Sequence, residues 1–225
     1  MARPRSAGFE LQREQMLAAA AQLFATRGYT AATMQDVATS CGVSKATLYH
    51  YVRDKHGLLA QITQGHVARL EDLVNQVQTL HLAPRERLQE LILRFMQAYA
   101  RAEYEHRVLT EDVKFLADDE RQAVLSGQRR VVACFAQAIS DLRPDLCDRQ
   151  LDKPLAMLLF GMINWTFTWL RSEGPLTHAS LAPLVVELFL GGLQAVTVPA
   201  PVPTPVPRPL PESALAPPPD AQPPA

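Results

Sequence analysis

Four side chains with hydrogen-bonding ends, Lys45, Thr47, Tyr49 and His50, fall within the six-residue stretch KATLYH. On a helix, Leu48 would turn to a core and leave those four as one surface. Their donors and acceptors suit the base-pair edges of a DNA major groove. They do not suit catalysis. The chain has no GxSxG elbow, phosphate-binding loop, HExxH or GxGxxG sequence, and acidic runs such as Asp118-Asp119-Glu120 read as solvated helix ends. The expectation is a binding protein, not an enzyme. Cys41, Cys134 and Cys147 lack CxxC spacing, which suggests free thiols in a reducing cytoplasm and no metal or other cofactor.

The surrounding residues explain how such a surface is held. Thr33 with Asp36 three residues on marks a helix start, because both can satisfy free amides of a first turn. Val37 and Ala38 give that helix its inner face. Cys41-Gly42-Val43 then makes a tight turn with glycine where a positive φ is needed, and Ser44 caps the next helix. Upstream, Met16, Leu17, Ala20, Leu23 and Phe24 share one helical face that stops at Arg27-Gly28. Downstream, Leu59, Ile62, His66, Leu70, Leu73, Val77 and Leu80 step by three and four up to Pro84, as a long connecting helix does.

Every other periodic segment also has helical spacing, so the expected fold is all-α. Stripes recur at Leu88, Leu91, Ile92, Phe95 and Tyr99, and at Val124, Gln128, Val131, Phe135, Ile139 and Leu142, with a shorter piece around residues 108–116. Residues 155–170 are apolar on nearly all sides and predict one helix covered on both faces. A last helix is expected over 181–196, with Leu184, Val185, Leu188 and Phe189 on one face. The stretch 154–170 is at the lower edge of membrane-spanning length and contains Asn164, Thr166 and Thr168, so no membrane span is expected. From residue 199 onward, 12 of 27 residues are proline, too few of the rest being bulky to bury a core. Charge is uneven: residues 1–57 carry seven Lys/Arg against four Asp/Glu, and the remainder 15 against 19. The basic excess lies where a nucleic-acid footprint would.

With Phe24 ahead of it, the run GYTAATMQDVATSCGVSKATLYHYVRDKHGLL, which opens at Gly28, resembles the DNA-binding region of the TetR (AcrR-type) family of transcriptional regulators. Departures are small: Val52 stands where the family usually has Phe, and Cys41 where Ala is common. The resemblance implies a three-helix helix-turn-helix DNA-binding domain over residues 1–57, a C-terminal helical bundle for dimerisation and ligand sensing over 58–198, and a disordered Pro-rich tail over 199–225. It also implies that Lys45, Thr47, Tyr49 and His50 face double-stranded operator DNA, while Thr33, Ser44 and Lys55 hold phosphates near helix starts. Tyr51 is expected to pack instead.

The same resemblance implies a homodimer paired through residues 155–170 and 181–196, which would explain their apolar surplus. The stretch GMINWTFTWLRSEGPLT, residues 161–177, is similar to a subgroup associated with fatty-acid and aromatic-acid catabolism. That makes an acyl- or aryl-CoA the expected small-molecule effector of a repressor. Phe95, Tyr99, Phe115, Phe135, Asn164, Trp165 and Trp169 are the expected ligand-binding residues, large apolar bodies with a few polar handles. Arg94, Arg101 or the Arg129-Arg130 pair would meet its phosphates. The alternative is a helix-turn-helix regulator with a different effector class or none.

Overall fold

The computed structural model describes residues 7–170 and 174–197, which are helices joined by short turns, with no strand among them. The first helix, α1 (Ala7–Arg27), stops at Gly28, whose φ of 86° is open to glycine and strained for other residues. Helices α2 (Met34–Ser40) and α3 (Lys45–Tyr51) flank a turn in which Gly42 has φ 65°. Thr33 caps α2 in a complete capping box with Asp36, and Ser44 caps α3 through the Thr47 amide. Asp54 caps the long α4 (Lys55–Thr79) by accepting from the Gly57 amide at 2.7 Å. Such caps contribute about 1 kcal/mol each and fix where each helix begins.

Beyond α4 come α5 (Pro84–Arg101), α6 (Glu103–Glu111), a single 3-10 turn at Val113–Phe115, α7 (Asp118–Leu142) and the short α8 (Pro144–Cys147). They are followed by α9 (Asp152–Asn164), α10 (Thr166–Trp169) and α11 (His178–Ala195). Two hydrophobic clusters hold them. The larger joins Leu70, Val74 and Val77 of α4 to Phe95, Phe135, Phe160, Phe189 and their neighbours. The smaller gathers Met16, Phe24, Val37, Leu48, Leu58 and Ile62, and it also takes in Val108, Leu109, Leu116 and Val124. The core of the N-terminal unit therefore draws on α6 and α7 and is not confined to residues 1–57.

The region expected as one helix over 155–170 is two. The helix ends at Asn164, and the Thr168 amide turns back to the Trp165 carbonyl at 3.0 Å. Thr166 and Thr168 hydroxyls donate to the carbonyls of Ile163 and Trp165, a local bond that competes with the helical ladder. The break also frees the Asn164 carbonyl, which accepts from the His106 ring. The last helix starts three residues earlier than expected, because Thr177 and Ser180 form a capping box. Its four expected face residues divide. Val185 and Phe189 are buried, whereas Leu184 and Leu188 are 57% and 68% exposed. Adjacent residues lie about 100° apart on a helix, so the two pairs form two stripes. Arg143 closes the end of α11, its guanidinium donating to the carbonyls of Leu193, Gln194 and Val196 while Asp145 holds it. Among the described residues α11 is the one helix long and apolar enough to cross a membrane. Ala182, Val185, Val186, Phe189, Leu190 and Leu193 on it are nevertheless buried in the larger core. The Pro-rich stretch from residue 199 lies outside the described residues.

Helices α4 and α7 come close at Gly127, where a Cβ would clash with Val67 Cγ1. Valine is stiff at χ1, so the helices themselves would have to part. Gly127→Ala is expected to lose about 1–3 kcal/mol by overpacking. Gly65→Ala, also on a helix but with nothing nearer than 3.7 Å, should gain up to about 1 kcal/mol from helix propensity. Urea denaturation of the two variants checks the opposite signs.

Candidate nucleic-acid interface and ligand cavity

The turn at Gly42 presents α3 with Leu48 fully buried beneath it and Lys45, Tyr49 and His50 exposed. The Lys45 ammonium lies 5.9 Å from the Tyr49 ring centroid, within cation–π reach. Thr47 is half-buried, and its hydroxyl lies 2.8 Å from Ser44 Oγ. No acidic residue sits in the first turn of α3, so its positive end is open to an anion. At α2 the situation differs. Thr33 both donates to and accepts from Asp36, and these hydrogen bonds hold the Asp36 carboxyl below its ordinary range. A resident carboxylate thus already occupies that helix start. Tyr51 packs, stacked on Phe9 at 4.4 Å with its hydroxyl donating to Gln12.

Lys55, expected at a phosphate, is instead turned to the junction between the two cores. Its ammonium donates to the Thr30 carbonyl at 3.1 Å and lies 4.5 Å from the Tyr29 ring centroid. Burial lowers its pKa, with the Asp112 carboxyl opposing. Phe115, expected at a ligand, stacks on the other partner of this junction: its ring lies 5.1 Å from that of Tyr29. His56 meets Glu120 at 2.7 Å close by. Asp112 is only 8% exposed, and burial raises its carboxyl to about 6, with Glu111 adding to the effect and Lys114, Arg107 and Lys55 opposing it.

The ligand cavity has a volume of about 590 Å³, within the range of small-molecule sites. Its wall includes Val67 and Leu70 of α4, Tyr99 of α5, His106, Leu109 and Thr110 of α6, Val131 and Ala136 of α7, and Met157, Phe160 and Asn164 of α9. Of the seven residues expected at the ligand, Tyr99 and Asn164 reach this wall. Phe95 and Phe135 are fully buried one layer behind it, edge to face at 4.8 Å. They support Phe160, which does line the cavity. Trp165 and Trp169 stand about half exposed and off the wall, because the break after Asn164 turns the following residues outward. Among the expected phosphate-binding arginines, Arg94 is paired with Glu90 and Arg130 with Glu71. Arg129 lies on the cavity wall with only Ser126 as a hydrogen-bond partner, and exposed Lys153 is on the wall without an ion-pair partner among the described residues.

The buried side of the wall holds a chain of hydrogen bonds that the sequence only hinted at. Tyr99 donates to Asn164 Oδ1 at 2.9 Å, His106 Nε2 lies 3.2 Å from the Asn164 carbonyl, and His106 Nδ1 lies 3.4 Å from His66 Nε2. A carbonyl only accepts, so His106 carries its proton on Nε2, its Nδ1 accepts from His66, and His66 Nδ1 is left a bare acceptor. That atom is buried with no partner. Burial keeps both rings neutral, lowering His66 to about 3 and His106 to about 4, and it also raises Tyr99. The one signal in the sequence was a histidine in the apolar stripe of α4. His106, flanked by charged residues, gave none.

The family described as "Bacterial regulatory proteins, tetR family" matches residues 16–62, and "Tetracyclin repressor-like, C-terminal domain" matches residues 81–193. The chain belongs to the TetR family. A crystal structure of a TetR-family transcriptional regulator from Bordetella parapertussis 12822 is 34% identical, with a TM-score of 0.76 over 83% of this chain and 98% of that one. The HTH-type transcriptional repressor KstR2 of Mycobacterium tuberculosis is 28% identical over 197 residues, covering 81% of this chain and 92% of KstR2. AibR, solved in complex with isovaleryl coenzyme A and operator DNA, shares the fold at 24% identity and a TM-score of 0.67, over 79% of this chain and 97% of AibR. The TetR family match spans the helices from α5 onward as well as the helix-turn-helix.

Two predictions follow from the TetR frame and the geometry above. Tyr49→Ala and Lys45→Ala should each weaken operator binding by about 1–3 kcal/mol while leaving Leu48 and the fold in place; competition gel shifts with specific and scrambled duplexes measure it. Asp112 has a folded pKa above its unfolded value of 3.8. Its contribution is therefore fully favourable below about pH 4 and is lost as pH rises through about 6. Asp112→Asn should accordingly raise the melting temperature at pH 7–8 and give no gain at pH 4, as calorimetry would record.

Proposed function

We propose that the protein is a dimeric repressor that holds a palindromic operator and releases it when a small hydrophobic effector fills the cavity. An acyl- or aryl-CoA thioester is the effector class we favour. The observation that carries this reading is α4, a 25-residue helix about 37 Å long. It starts beside the reading helix and, further along, supplies Val67 and Leu70 to the cavity wall. Any ligand that displaces those residues acts on the element that places α3. Lys45, Thr47, Tyr49 and His50 would read bases, with Ser44 at a phosphate.

Support for the effector class comes from the wall itself. It is mostly apolar, and Arg129 and Lys153 stand on its exposed parts without carboxylate partners, where they suit phosphates of a thioester's nucleotide end. AibR, which shares the fold, was solved with isovaleryl coenzyme A and operator DNA, and KstR2 is a repressor by name. Dimerisation is supported by a surplus of apolar surface on α9, α10 and α11: Met157, Leu158, Trp165, Trp169, Leu184 and Leu188 are each half exposed or more. A lone chain rarely leaves so much apolar surface on neighbouring helices. Two copies paired there would space two α3 helices along the DNA.

Fluorescence anisotropy with a labelled duplex from the promoter preceding its own gene tests the reading. Isovaleryl-, octanoyl- or benzoyl-CoA at saturation should displace the protein, and the matching free acids should do so less well. Failure of all three thioesters would refute the effector class. Leu188→Glu, which places a carboxylate in the proposed seam, should sediment as monomer and lose operator affinity; a normal dimer would reject the interface.

A further inference from the structure

The buried side of the cavity wall is polar but uncharged, which an entirely hydrocarbon ligand would not require. Asn164 lines the cavity, and its Oδ1 is taken by the Tyr99 hydroxyl, which fixes the orientation of the amide. Its Nδ2 then has no hydrogen-bond partner among the described residues. That donor is open to the cavity and not sealed in the core, so one acceptor on a ligand can take it. Among the described residues, the cations that line the cavity are Arg129 and Lys153. His66 and His106 are neutral, and Arg129 and Lys153 are on the exposed parts of the wall. An anionic acceptor against Asn164 would therefore be buried without a counter-charge, whereas a neutral one would not.

We propose that the cavity holds a neutral carbonyl group of the effector against the side-chain amide of Asn164, with Tyr99 as the residue that orients that amide. The inference rests on the effector reading above and specifies which part of the effector is recognised. The acceptor is either the thioester carbonyl itself or an oxo group farther along the acyl portion. A free carboxylate does not fit there and would be tolerated only with its charge turned out toward Arg129 or Lys153.

The position of Asn164 gives the contact a consequence. It is the last residue of α9, at the break before α10, and its backbone carbonyl accepts from His106 of α6, which in turn accepts from His66 of α4. A carbonyl drawn to the side chain of Asn164 loads the same residue whose main chain anchors that relay. Recognition of the ligand and a shift of α4 thus share one residue.

The test compares three ligands by isothermal titration calorimetry: octanoyl-CoA, its thioether analogue S-octyl-CoA, which lacks the carbonyl, and 7-oxo-octanoyl-CoA. Each is titrated into full-length wild type, Asn164→Asp and Asn164→Leu. In wild type, at least one carbonyl should improve binding by about 3- to 10-fold, the range of one neutral hydrogen bond. An octanoyl over S-octyl preference assigns the thioester carbonyl, and a 7-oxo over octanoyl preference assigns the distal one. Asn164→Asp, titrated at pH 8 and above so that the carboxyl is ionised, keeps the shape and the acceptor for Tyr99 but removes the donor, so it should abolish the preference even if Asn164→Leu fails to fold. Equal binding of all three ligands to wild type, or a preference that survives in Asn164→Asp, overturns the proposal while leaving the effector reading intact. If none of the three binds, the effector reading fails and this proposal fails with it.

Discussion

A single helix, α4, belongs to two hydrophobic cores at once, and the remaining helices are arranged around that constraint. Leu58, Leu59 and Ile62 anchor its first half among α1, α2 and α3, and Leu70, Val74 and Val77 anchor its second half among α5, α7 and α9. Because an α-helix is stiff along its hydrogen-bonded axis, the two halves cannot be repositioned independently. Its place is fixed sideways at Gly127, where only the absence of a side chain lets α7 come so close to Val67. At its start Asp54 fixes the end of the helix just past α3. The cavity wall and α3 are thereby attached to one rod.

The junction around α4 is also where the fold accepts unfavourable electrostatics. Asp112 is buried with its pKa raised, and Lys55 is held with its pKa lowered. Neither is placed at its electrostatic optimum, yet the aromatic pair of Tyr29 and Phe115 and the His56–Glu120 contact keep the surfaces together. The cavity differs: the polar groups on its buried side are neutral and largely satisfied by one another, leaving the donor on Asn164 open to it and the bare acceptor on His66 behind the wall.

Much of the DNA-binding half was legible in the chain because its determinants are local. Thr33 with Asp36, Gly42, Ser44 and Asp54 act on amides within three residues of themselves, and each cap or turn stands where its residue type requires it. The all-helical class followed from periodicity for the same reason. Lys55 departs from the expected pattern, and its cause is not local: the Thr30 carbonyl and the Tyr29 ring come from 25 and 26 positions earlier.

The sensing half was legible only in outline. Apolar stripes identified α5, α7 and α11, but a stripe shows that a face is buried without showing whether it meets a core, a cavity or a second chain. Phe95 and Phe135 went to the core, Tyr99 and Asn164 to the cavity, and Trp165 and Trp169 to an exposed face, although five of the six are aromatic. The break after Asn164 made that division. It depends on threonine hydroxyls turning back on their own helix and on a histidine 58 residues away taking the freed carbonyl. Sequence by itself determined the family, most of the helices and the turn that presents α3, since those depend on hydrogen bonds and periodicity within a few residues. Tertiary structure decided which aromatic and polar side chains face the cavity, because that depends on where helices far apart in the chain come to lie side by side.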